Sequence, residues 1–173
     1  SLSLTHTRRN PSEIQAAHAG LDALIRPGAQ LARPLQRALR DTMWASGGVV
    51  RSDDRLRRGL ERIAELKELA KEVDVRPSSE GYKDLAVALD LRAALVVAEA
   101  TLLGGQQRSE SRGAHARSDY PRLDPGLTGN FVIRLEADGR LQTTFRPAPP
   151  LPEALRPFLE KRGELALEGK LLE

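Results

Sequence analysis

The sequence predicts a mainly α fold: a three-helix bundle, spectrin-repeat-like and up-down-up, followed by a C-terminal β-hairpin and a short terminal helix. Three observations predict it. Phe, Tyr and Trp make only 3% of the chain, so the core must be built from Ala, Leu and Val, which suits helices better than a β-sandwich. Leucines recur in steps of three and four through three segments, the spacing of one helix face. A later segment instead carries β-branched and aromatic residues around Asp138-Gly139, a hairpin turn signal. At 173 residues the chain is long enough for one domain with a real core.

Residues 1–28 read as a lead-in. Ser12 is the expected N-cap of a short helix that begins at Glu13, runs to about Leu24 and stops at Pro27-Gly28. The bundle is expected over 29–107. Leu31, Leu35, Leu39 and Met43 place a helix over about Arg33–Ser46, with Pro34 tolerated in its first turn and Gly47-Gly48 ending it. Trp44, near its end, reads as a core anchor. Ser52 or Asp53 caps the next helix, in which Leu56, Leu60, Ile63, Leu66, Leu69 and Val73 form a stripe opposite Arg, Glu and Lys. Arg76 to Gly81 is a loop by composition. From Tyr82 to Leu103 there are two stripes, one of Leu85, Leu89, Val96 and Leu103 and one of Ala88, Leu91, Leu95, Ala98 and Leu102. Two stripes predict a helix lying between neighbours.

Residues 108–173 are read as a polar motif loop, a hairpin and a last short helix near Pro152 to Leu165, packed on the bundle. The hairpin register follows from its pattern. A two-residue loop at Asp138-Gly139 would mix polar and apolar residues on both faces. A three-residue loop of Ala137, Asp138 and Gly139, with Gly139 left-handed, instead sets Phe131, Ile133 and Leu135 against Phe145, Thr143 and Leu141, and Glu136 against Arg140.

Composition excludes several functions. The absence of cysteine removes disulfides, thiolate metal sites and a cysteine nucleophile. His6, His18 and His115 are too scattered for metal-ligand spacing. Against 27 basic residues stand 24 acidic ones, a formal charge of +3 that argues against nucleic acid as a partner. No stretch is apolar enough to insert in a membrane, and the first residues lack the apolar core of a signal peptide. Neither GxGxxG nor GxxxxGK[ST] occurs, so the chain is expected to bind no dinucleotide by those loops, and no catalytic, cofactor-binding or metal-ligating residue is assigned. Ser111, His115 and Asp119 are of the residue types of a hydrolase triad, but Gly113 and Tyr120-Pro121 disfavour the helix that would align them. The segment from Glu110 to Tyr120 packs charge, His and Gly into a stretch that no periodicity claims. Two readings stand side by side: a docking surface using Arg112, His115, Arg117, Asp119 and Tyr120, or arginines paired internally with Glu110 and Asp119 to fasten the hairpin to the bundle.

Three stretches carry a resemblance to a known family: LQRALRDTMWASGGVVRSDDRLRRGLERIAEL, ALDLRAALVVAEATL and ESRGAHARSDYP. They resemble the C-terminal region of the flavoprotein subunits of succinate dehydrogenase and fumarate reductase, a family that includes L-aspartate oxidase. With the hairpin and the APPLPEALR tail, the likeness runs from about Arg33 onward. It implies that FAD sits in a separate upstream flavin-binding domain, of which the lead-in would be the end, and that no cofactor belongs to this chain itself. It further implies a parent oxidoreductase acting on a dicarboxylate (succinate, fumarate or L-aspartate), an iron–sulfur subunit as a further partner, and a cytoplasmic location, peripheral at most to the inner face of the membrane. Where many members continue Tyr120-Pro121 with an acidic run and Trp-x-Lys-His, this chain has Arg122 to Asn130, which leaves the parent's substrate open; Ala114 leans toward the succinate/fumarate branch. The other reading of the residues is an independent helical interaction module.

Overall fold

The computed structural model describes residues 10–77, 82–150, 152–155 and 157–158. Its elements are α1 (Pro11–Asp22), α2 (Ala32–Gly47), β1 (Val50–Arg51), α3 (Asp53–Ala70), α4 (Lys83–Gln107), β2 (Ala116–Arg117), β3 (Gly129–Leu135) and β4 (Leu141–Pro147). The core forms where α2, α3 and α4 turn their aliphatic stripes together: Leu35 and Leu39, then Leu56, Ile63 and Leu66, then Leu91, Leu95 and Leu102. Leu56 at the start of α3 lies against Gly105 at the end of α4, while Lys67 later in α3 pairs with Glu99 earlier in α4. These two helices are therefore antiparallel. Gly47 at the end of α2 lies against Leu102, so α2 runs with α4 and the bundle is up-down-up, as the sequence predicts.

Ser52 is the N-cap of α3, accepting from the Arg55 amide. Three helical expectations are corrected. α1 begins one residue before Ser12, because Pro11 takes the first helical position and the Asn10 carboxamide accepts from the Ser12 amide. It ends at Asp22, ahead of Pro27-Gly28, and Ile25 then turns in to pack against the core. None of the residues of α1 is buried. The chain from Arg26 to Gln30 is stitched to the segment after α3: the Gly28 amide donates to the Asp74 carboxylate (2.9 Å) and the Asp74 amide to the Gln30 carbonyl (2.7 Å).

The second correction concerns α4. It continues through Gly104 and Gly105 to Gln107. Those glycines are packing positions: a Cβ would come within 3.2 Å of Ile133 Cδ1 at Gly104 and 3.3 Å of Leu56 Cδ2 at Gly105. Only the stripe of Ala88, Leu91, Leu95, Ala98 and Leu102 is buried. The other stripe is covered by the hairpin near Gly104, while Leu89 stays exposed. The third correction is Trp44, which is 83% exposed. Ser46 is the residue turned inward, at a crossing where a Cβ on Gly59 would lie 2.5 Å from its own Cβ. An approach that close leaves no volume for an indole.

The hairpin agrees with its predicted register residue for residue: Phe131 pairs with Phe145, Ile133 with Thr143 and Leu135 with Leu141, and the Glu136 amide donates to Arg140. Gly139 has φ +83°, the left-handed geometry the three-residue loop requires. The expected terminal helix lies mostly outside the described residues, which hold a 3-10 turn at Glu153–Leu155; residues 78–81 of the predicted loop also lie outside them.

Candidate functional site

The motif loop leaves α4 at Arg108 and returns to the bundle through β2. β2 pairs in parallel with β1, Val50 opposite Ala116 and Arg51 opposite Arg117. Between them the chain reverses at Gly113, φ +57°, where Arg112 and His115 exchange backbone hydrogen bonds of 2.9 and 3.0 Å. The tip, Gly113-Ala114, is exposed.

Two charged centres lie behind this tip. Arg117 is 2% exposed. Its guanidinium donates through Nε (2.8 Å) and Nη2 (2.7 Å) to the Asp119 carboxylate, and through Nη1 to the carbonyls of Gly105 (2.9 Å), Gln106 (3.3 Å) and Arg108 (3.3 Å). It thereby caps the C-terminus of α4, where carbonyls lack helical partners and the dipole favours a cation. Asp119 also accepts from the Asp53 amide at 2.8 Å, on the first residue of α3, where the dipole favours an anion. One ion pair closes the ends of two helices. The Arg117 hydrogen bonds hold the Asp119 carboxyl far below the usual carboxylate range, and Asp119 in turn raises the Arg117 guanidinium.

The second centre is Glu110, whose side chain has no exposed surface. Arg112 donates to it through Nε (2.7 Å) and Nη2 (3.1 Å), the Asp124 amide through 2.8 Å, and Arg108 from the other side. With the Arg112 hydrogen bond as the largest cause, the Glu110 carboxyl is held down at about 2. Arg108 also donates to the carbonyls of Leu127 and Gly129 and lies 5.1 Å above the Phe131 ring, so this centre binds the end of α4 to the hairpin.

His115 lies between them. Its Nδ1 accepts from Arg51 Nη1 (2.9 Å) and its Nε2–H donates to the Arg108 carbonyl (3.1 Å), an arrangement of the neutral ring. Burial pushes its pKa down, and the charges of Arg51, Arg117 and Arg108 act in the same direction. Ser111 Oγ donates to the Tyr120 carbonyl and accepts from the Arg117 amide. Ser111, His115 and Asp119 thus each hold other partners, and their geometry is not that of a triad. Tyr120 remains 46% exposed, with the Arg117 guanidinium 4.9 Å from its ring centroid.

The structure therefore brings Arg112, His115, Arg117, Asp119 and Tyr120 into one cluster, in which the forks of both arginines already hold carboxylates of this chain. The sequence reading missed Arg51 and Arg108. The alternation Arg108, Glu110, Arg112 and then Arg117, Asp119 is the signal that could have found the ladder, because residues two apart point the same way in extended chain.

A cleft of about 600 Å³ at the hairpin turn is lined by Glu136, Asp138 and Arg140, the last two paired with each other at 2.6 Å. No helix among the described residues is long and apolar enough to cross a membrane.

Residues 36–146 match the family model of the fumarate reductase flavoprotein C-terminus. The chain is 32% identical over 161 residues to the succinate dehydrogenase flavoprotein subunit of Coxiella burnetii, covering 91% of this chain and 27% of that protein. It is 40% identical over 92 residues to the L-aspartate oxidase of Acinetobacter baylyi, covering 51% of this chain and 15% of that enzyme. Among solved structures, the Mycobacterium smegmatis Sdh1 complex superposes with a TM-score of 0.79 at 25% identity, over 87% of this chain and 27% of the matched one. The chain spans about a quarter or less of the length of these proteins, so its likeness is to part of larger flavoproteins and not to a freestanding helical module. With nearly all of the bundle and hairpin and the whole ESRGAHARSDYP loop inside the matched region, the chain belongs to the fumarate reductase flavoprotein C-terminal family.

Proposed function

We propose that this chain is the C-terminal accessory domain of an FAD-dependent, fumarate reductase/succinate dehydrogenase-like oxidoreductase, supporting the flavin-binding domain and assembly while the redox chemistry on a dicarboxylate occurs elsewhere in the parent. The observation that carries this reading is the family match across residues 36–146, which takes in nearly all of the bundle and the whole motif loop. The parent's FAD is held upstream, its substrate is succinate, fumarate or L-aspartate, and an iron–sulfur subunit is its redox partner in the complex. The parent works in the cytoplasm, peripheral to the inner face of the membrane.

In this reading the motif loop faces the flavin domain. Tyr120 and the exposed edges of Asp119 and Arg112 provide contacts, while Arg117 and His115 hold them in position from behind. A surface fixed from within loses little freedom on docking, and that favours association. The test is to assay the purified chain for flavin absorbance and for fumarate-dependent oxidation of a reduced dye, and to read the coding sequence ahead of Ser1. Neither signal, together with a continuous upstream frame carrying GxGxxG, is the expected result. A bound flavin, dye oxidation by the chain alone, or no such frame would overturn it.

A further inference from the structure

The chain has one tryptophan, and it faces solvent. Trp44 stands in the last turn of α2, and the chain reverses at once through Gly47-Gly48 to put out Val49, 77% exposed, and Val50, 51% exposed. Large apolar side chains exposed in succession mark a contact surface more often than a bare one. Arg55 and Arg58, from the first turns of α3, line a cleft of about 460 Å³ with Trp44. Arg55 reaches back to the Val50 carbonyl at 3.4 Å. The Asp54 carboxylate is shared between Arg57 and Arg58, so the rim keeps positive charge. Val50 is also the residue that pairs with Ala116, which makes this apolar patch continuous with the motif loop.

We propose that Trp44, with Val49 and Val50 and the rim of Arg55 and Arg58, is the anchor by which this chain docks on the flavin-binding portion of its parent polypeptide; this rests on the function proposed above. Three observations select that occupant. The solved and curated relatives are about four times as long as the matched region, so a covalently joined partner is present at high effective concentration. The patch is continuous, through the β1·β2 pairing, with the loop assigned to the same interface. Its composition, an indole at the centre with arginines at the edge, is that of an interface hot spot, and the positive rim calls for a socket edged by carboxylates.

The indole reports on its own burial. The test uses the purified chain and the upstream flavin-binding portion of the same polypeptide, produced separately, with tryptophan-free buffer and emission difference spectra corrected for the partner. On mixing, the Trp44 emission should shift to the blue, and Trp44→Ala should weaken association at least tenfold while leaving the melt of the chain unchanged, as an exposed residue allows. Leu31→Ala, an exposed apolar residue at the opposite end of α2, should change association less than twofold. Wild-type association with an unshifted emission, an unaffected Trp44→Ala variant, or equal weakening by Leu31→Ala would overturn this anchor alone. Failure of the wild-type portions to associate at all would overturn the docking function on which it rests.

Discussion

Replacing Arg117 by Ala removes the buried cation that, through Asp119, ties the end of α4 to the start of α3. Its guanidinium is 2% exposed and holds the Asp119 carboxylate by two hydrogen bonds and the carbonyls of Gly105, Gln106 and Arg108 by a third nitrogen. Removing one partner of a buried pair costs about 3–5 kcal/mol. The Asp119 side chain is 31% exposed and recovers part of its hydration, which sets the loss near the lower bound, about 3 kcal/mol. For a domain of this size that is a fall in Tm of roughly 10 °C. Arg117→Lys keeps the charge but not the planar fork, so it should lie about midway. Thermal unfolding followed by circular dichroism at neutral pH is the assay. The acid limb gives a second reading with a definite sign: the folded carboxyl of Asp119 is depressed, so its contribution is fully present above its ordinary value and is lost as pH falls through the folded one. The gap between wild type and Arg117→Ala should therefore narrow on acidification. A Tm for Arg117→Ala within about 2 °C of wild type, or a gap that widens in acid, would refute the helix-closing role.

Arg112→Ala should lower the Tm, since Glu110 would lose its main partner inside the fold; a melt superimposable on wild type would show that the internal pairing is not structural. His115 should titrate below 6.5 by proton NMR, so that stability declines as pH falls below that value, where the unfolded ring takes a proton before the folded one; a midpoint at or above 6.5 would contradict the neutral ring held by Arg51. Leu95→Asp, at a position 2% exposed, should abolish the cooperative transition, because an unpaired carboxylate in an aliphatic core costs several kcal/mol of a total of about 5–15. Gly59→Ala should destabilise by about 1–2 kcal/mol despite the better helix propensity of Ala, because the new methyl would sit 2.7 Å from Leu102 Cδ1 and closer still to Ser46; a raised Tm would show that the crossing has room.

What the sequence made legible divides by range. Leucine spacing is a local signal and sufficed for α2 and α3, and the alternation around Ala137-Asp138-Gly139 sufficed for the hairpin register to the residue. The errors arose where distant residues decide. Gly104-Gly105 reads as a terminator by propensity, yet contact with Ile133 and Leu56 makes the missing side chains an asset and the helix continues. Trp44 reads as core by type, yet the close crossing of Ser46 on Gly59 turns it out. In the cluster, Glu110 and Asp119 were visible as internal partners for the arginines, because they sit two residues away from them. Arg51 was not: it joins His115, 64 residues away, only after β1 and β2 are brought side by side.

The pairing of β1 with β2 also orders events in time. The Asp53–Asp119 contact closes a loop of 66 residues, whereas the α2–α3 turn and the hairpin close short ones. Loop-closure entropy favours the short contacts first, so the bundle and the hairpin can form as separate units before the motif loop is fixed between them. The segment completed last is also the first to open in a sub-global fluctuation. Backbone amides of Ser111, Arg117 and Ser118 should thus exchange with solvent deuterium faster than those of Ile63 or Leu95. In the parent proposed above, a flavin-binding segment made earlier would wait, with its contact face uncovered, until this final closure supplied the mating surface.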